Sequence, residues 1–107
     1  MTTAKFLFSD DTIVSFELSG HSGFAEEGSD IVCSAVSSAV YMAANTIIEI
    51  MKLNPKTVVR DGYLKLQISL EDDRKSKVIT DGLYLHLSEL QNQYPNNLKL
   101  ERGVFDA

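Results

Sequence analysis

The chain contains no tryptophan, one cysteine, two prolines and two histidines in 107 residues. A single cysteine excludes an internal disulfide and any metal site built from several cysteines. It also points to a reducing compartment, so the cytoplasm is the expected location. Basic residues are in short supply too. Ten Lys and Arg stand against fifteen Asp and Glu, a net charge of −5. A general nucleic-acid binder needs a basic surface to displace counterions, so direct contact with nucleic acid is not expected. Acidity fits a protein partner or a basic segment better. The opening Met1-Thr2-Thr3-Ala4-Lys5 runs straight into a strand pattern, and no signal peptide is expected there.

Long apolar runs are also scarce, with one exception. Ile31 to Ile48 carries no charge over nearly the length of a membrane span. Ser34, Ser37, Ser38, Asn45 and Thr46 interrupt it, alanines dilute it, and no cluster of basic anchors flanks it. The expectation is a buried helix, with no membrane.

What remains is an ordinary globular composition, 44% hydrophobic and 23% charged, sized for one domain over residues 1–107. Lys5 to Phe8 and Thr12 to Leu18 read as two strands around the acidic turn Asp10-Asp11. In the second strand, Val14, Phe16 and Leu18 alternate with Ile13, Ser15 and Glu17, which predicts one buried face. Gly20 ends it. After the loop from His21 to Gly28, Ser29 or Asp30 caps a long helix running to about Leu53, before Asn54-Pro55. Its apolar residues lie nearly all round, which calls for packing between two layers or for a subunit interface.

Thr57 to Arg60 and Tyr63 to Leu70, joined by Asp61-Gly62, carry the signal of a hairpin with a type I′ turn. A second helix follows from about Asp72 to Tyr94, with Gly82 in its middle, and Leu98 to Val104 reads as a last strand. The order ββαββαβ predicts an α+β domain, a mostly antiparallel five-stranded sheet with two helices.

Chemistry concentrates in one place. With Asp30 at the helix cap, Cys33 falls near the third helical position, where free backbone N–H groups and the positive end of the helix dipole gather. Such surroundings favour thiolate over thiol. His21 lies twelve residues earlier at the end of a strand, and a loop of that length closes freely enough to bring an imidazole to the sulfur. A thiolate–imidazolium pair stabilises both charges, and the same N–H groups could hold a tetrahedral oxyanion. Asp30 could cap the helix or orient the imidazole. Against this stands the bland reading, in which a lone cysteine is a small buried hydrophobe.

Gly20-His21-Ser22, followed by Gly28-Ser29-Asp30-Ile31-Val32-Cys33-Ser34-Ala35-Val36-Ser37, resembles the signature of the Prp family, the ribosomal-processing cysteine proteases of bacteria. Members carry Gly-His-Ala, a glycine-bearing loop and Asp-Ile-Val-Cys-Ala-Ala-Val-Ser. The length, the alanine-rich helix and Tyr94-Pro95 extend the likeness along the whole chain, while Ser22 and Ser34 stand where the family commonly has alanine. The resemblance implies an endopeptidase that removes a short N-terminal extension from a large-subunit ribosomal protein, the one numbered twenty-seven. It implies Cys33 as nucleophile, His21 as general base and acid, no metal or other cofactor, and a homodimer. Ser22, Gly23, Phe24, Gly28 and Ser29 become the substrate loop. Family substrates are cut after an aromatic-rich segment, so an apolar groove near the thiol is expected.

Other features have simpler explanations. His86 lies on the second helix with no Cys, Asp or Glu at ligand spacing and reads as a surface residue. Arg74, Lys75 and Lys77 are too few for a nucleic-acid patch. Asp10-Asp11 and Glu26-Glu27 could steer a lysine-rich peptide, although turn chemistry explains the first pair equally well. Two readings stand beside the protease: a non-catalytic ribosome-associated binding module, and a redox-sensing thiol protein, the latter without a resolving cysteine in the chain.

Overall fold

The computed structural model describes residues 1–20 and 29–106, apart from the side chains of Ser29 and Asp30. Strands β1 (Thr2–Ser9) and β2 (Thr12–Ser19) lead to helix α1 (Ser29–Asn45) and a π-helical turn (Thr46–Ile50). Strands β3 (Lys56–Arg60) and β4 (Tyr63–Gln67), helix α2 (Lys77–Gln93) and strand β5 (Leu98–Val104) complete the chain. The five strands form one sheet in the order β3-β4-β2-β1-β5. Three neighbouring pairs are antiparallel, and β5 runs parallel to β1 after the α2 crossover. The α+β expectation holds, with a mixed sheet.

Register explains the two faces. Phe6 pairs with Phe16, which pairs with Leu66, and Ala4 pairs with Leu18, which pairs with Leu64. These side chains face the helices and form the core with Val32, Val36, Val40, Ala43 and Ile47 of the first helical run and Leu83 and Leu87 of α2. The opposite face carries a row of alternating charge, Lys65–Glu17–Lys5–Glu101, one residue per strand. Opposite charges facing each other across strands contribute about 0.2–1 kcal/mol per pair.

The simple alternation expected in β2 breaks at one point. The register shifts between Leu7 and Phe8, so Leu7 pairs with Ser15 and Phe8 with Ile13, leaving Val14 as the extra residue of a bulge. Ile13 thereby joins Phe16 in the core.

Both helices differ from expectation at their ends. The first changes at Thr46, whose Oγ1 donates to the Met42 carbonyl at 2.8 Å, and the wide turn closes with Met51 N–H on the Thr46 carbonyl at 2.8 Å. Lys52 then takes φ 61 and ends the helical run before Leu53. Helix α2 begins at Lys77, because Ser69 and Asp72 bond each other locally and Ser76 Oγ donates to the Asp73 carbonyl. Ser and Asp side chains compete with helical hydrogen bonding in this way.

The hairpin between β3 and β4 is present, but positive φ is confined to Gly62 (φ 71), so the turn is not type I′. Ile31–Ile50 has the length and hydropathy of a membrane span, yet its apolar stripe from Val32 to Ile47 packs on the sheet as a core helix.

Candidate active site

Three structural decisions converge on one corner of the sheet. Strand β4 pairs with β2 so that Tyr63 faces Ser19, and the next residue, Gly20, donates its N–H to the Gly62 carbonyl at 3.1 Å. Gly20 has φ 84, and a Cβ built there would meet the Met1 carbonyl oxygen at 2.5 Å, so only glycine fits. The end of β2 is thus locked to the β3–β4 turn beside the start of α1.

Cys33 opens on this corner. Its side chain is half-buried and lines a cavity of about 200 Å³. Ser37 and Tyr41 follow it along one stripe of α1; Leu18 and Gly20 come from the end of β2; Arg60 to Leu64 close the far wall. The thiol is therefore not sealed in hydrocarbon.

Several expectations change in detail. Helix α1 starts at Ser29, so Cys33 is its fifth residue rather than about its third. Side chains in a helix lean toward its N-terminus, which tilts this one back over the first turn. Ser29 and Asp30 both fall within the helical span. Asp30 still adds an acid to the first turn, the favourable end for negative charge. His21, Ser22, Gly23, Phe24 and Gly28 lie outside the described residues, as do the side chains of Ser29 and Asp30.

The far wall was not foreseen. Arg60 stacks over the Tyr63 ring at 4.3 Å to its centroid, and Tyr63 Oη donates to Glu17 Oε2 at 2.9 Å. Burial raises the Tyr63 phenol above its ordinary value of 10.0, and the hydrogen bond to Glu17 and that residue's charge push the same way, against the Arg60 cation. The side chain stays a neutral donor, held between cation and carboxylate. Ser37 and Tyr41 were findable, since positions 33, 37 and 41 share a helical stripe. Arg60, Asp61 and Tyr63 needed the pairing of β4 with β2, which no local pattern encodes.

Elsewhere the simpler explanations hold. His86 is exposed on α2. Arg74 and Lys77 reach the Asp11 carboxylate at 3.5 and 4.0 Å, and Lys77 Nζ donates to the Asp11 carbonyl at 2.8 Å, which makes these charges braces for the first turn. They and Thr12 hold the Asp11 carboxyl below the usual carboxylate range, with the Thr12 hydroxyl the largest influence. Among the described residues no group of three or more His, Cys, Asp or Glu could hold a metal ion.

The family model of the cysteine protease Prp matches residues 1–99 of the chain. The ribosomal processing cysteine protease Prp of Bacillus subtilis (strain 168) is 31% identical over 101 residues, covering 89% of this chain and 90% of that protein. A crystal structure of an essential ribosomal processing protease Prp from S. aureus, in complex with a substrate peptide, superposes with a TM-score of 0.87. At 20% identity over 96% of this chain and 100% of that one, it establishes the fold. SMU.848 from Streptococcus mutans gives 0.81 at 26% identity, over 98% of this chain and 96% of that one.

Proposed function

The chain belongs to the Prp family of cysteine proteases, and from that premise we propose that it is the cytoplasmic endopeptidase that trims the N-terminal extension of a large-subunit ribosomal protein, the one numbered twenty-seven, with a Cys33–His21 dyad. It is a cysteine protease by family, and the sequence offers one cysteine. The observation that carries the reading is that this one thiol is half-buried and lines a cavity at the start of a long helix.

Cys33 Sγ attacks the scissile carbonyl carbon, and the tetrahedral oxyanion is stabilised by backbone N–H groups at the amide-rich start of α1. Collapse breaks the C–N bond, the departing amine takes a proton from the His21 imidazolium, and a thioester remains on the sulfur. Water, deprotonated by His21, hydrolyses the thioester and restores the thiolate. Gly20, directly before His21 in sequence, lines the Cys33 cavity, which supports an imidazole arriving from that side. No step calls for a metal or an organic cofactor.

The test is a tagged extension peptide incubated with the enzyme and read by fragment masses. The wild type is expected to release the extension, and the Cys33→Ser enzyme to bind the peptide and leave it whole. Cutting by Cys33→Ser rejects the nucleophile. Iodoacetamide should label Cys33 rapidly near neutral pH, and His21→Ala should slow it; equal rates in the two proteins reject the dyad.

We also propose a homodimer. Ile31, Met42 and Ile50 are 66%, 53% and 76% exposed along the first helical run, an apolar strip that a second copy would cover.

A further inference from the structure

A second cavity lies directly beyond the one at Cys33. Tyr41 and Leu64 line both, so the two adjoin along the groove between the first helical run and the β3–β4 hairpin. The far part is apolar, with Ala44 and Ile48 on the helical side and Val59 and Leu66 on the sheet side. Its outer rim is β3, the last strand of the sheet, which among the described residues pairs with β4 alone. All five β3 residues are exposed, and Val59 is 61% exposed. An uncovered strand edge with apolar side chains at its centre is a template for another extended chain.

Charge decides what that chain is. Strand β3 begins with Lys56 and ends with Arg60. Two copies pairing antiparallel about Val58 would set Lys56 against Arg60 twice, and like charges directly opposite are destabilising. In that register the edge disfavours a second copy and suits a peptide without cations at those places.

Length sets the register. Positions 33 to 48 span about 22 Å of helix at 1.5 Å per residue, the reach of six or seven extended residues at about 3.3 Å each. The apolar well starts near Tyr41 and ends near Ile48, so its centre is about five extended residues from the thiol.

We infer that the peptide substrate lies extended along this groove beside the edge strand β3, and that the well between Tyr41, Ile48 and Val59 takes a large apolar side chain about five residues from the scissile bond. The inference rests on Cys33 being the reacting group. It adds a second recognition point, remote from the chemistry, that fixes which bond reaches the sulfur.

The test couples enzyme and peptide variants. Alanine is placed at each position of the tagged extension peptide in turn, and each is assayed with the wild type and with Val59→Asp, a change at an exposed site that spares the core. One large apolar position about five residues from the cut should, when changed to Ala, lower kcat/KM by about tenfold or more in the wild type and far less in Val59→Asp. Iodoacetamide labelling of Cys33 should be the same in both enzymes. Additive losses, no sensitive position, or wild-type cleavage by Val59→Asp overturn the groove. A Val59→Asp protein that cleaves normally but no longer associates assigns the edge to a second copy, and overturns it too. Cleavage that persists in Cys33→Ser fails the nucleophile assignment instead, so the two failures are separable.

Discussion

Tyr63 Oη and Glu17 Oε2, 46 residues apart in the chain, meet at 2.9 Å across the β4–β2 pairing. The bond fastens the β3–β4 hairpin to the central part of the sheet on the face away from the helices, and Arg60 stacked on the same ring extends the connection to the edge strand. A hairpin held this way gives the Cys33 cavity a backbone wall that needs little ordering on binding.

The pair has a pH signature. Tyr63 is raised above 10.0 by burial first, then by the Glu17 hydrogen bond and charge. A phenol whose folded value exceeds its unfolded value adds stability below the unfolded value and loses it as pH rises through the folded one. Glu17→Gln should therefore lower the Tyr63 titration midpoint toward 10.0 and narrow the alkaline range over which this bond supports the fold. The measurement is the phenolate absorbance, taken as a difference against Tyr63→Phe because three other tyrosines contribute. An unchanged midpoint would mean that the carboxylate does not act on the phenol.

Two glycines should respond in opposite directions to the same substitution. Gly20→Ala forces a side chain into φ 84 and to 2.5 Å from the Met1 carbonyl oxygen, so the chain end must move. The conformational part alone costs about 1–2 kcal/mol. Gly82 lies inside α2 with nothing within 4 Å of a built Cβ, and Gly82→Ala should stabilise by about 0.5–1 kcal/mol. Thermal melts should thus move down for one and up for the other. The Gly20 change should also depress activity, since Gly20 lines the Cys33 cavity.

These contrasts mark how far the sequence could be read. The element order followed from periodicity and from Asp61-Gly62, because strands and helices announce themselves locally. The bulge at Val14 did not, since alternation continues through it and only the pairing with Leu7 and Phe8 reveals the extra residue. The start of α2 at Lys77 is not legible locally, because Asp72 and Asp73 suit a helix N-terminus as well as they suit the turns they make. At the site, Cys33 stood out by chemistry, and its stripe-mates Ser37 and Tyr41 were available from helical spacing. Arg60 and Tyr63 reach the cavity only through the strand order β3-β4-β2, a long-range choice made by the core as a whole.

The last expectation concerns the outer strip of the first helical run. Met42 is 53% exposed and flanked along the strip by Ile31 and Ile50, none of which belongs to the core cluster. Fully burying one such side chain contributes about 1.5–3 kcal/mol, and a two-fold interface buries each twice. Met42→Asp should therefore weaken self-association by about tenfold or more while leaving the fold intact. Sedimentation at micromolar concentrations checks it: a wild type that dissociates to monomers there, or a Met42→Asp protein that associates as tightly as the wild type, removes this strip as the interface. The β3 edge is a separate surface, so the variant is also expected to keep its peptide register, and a shifted cleavage site would show the two surfaces to be coupled.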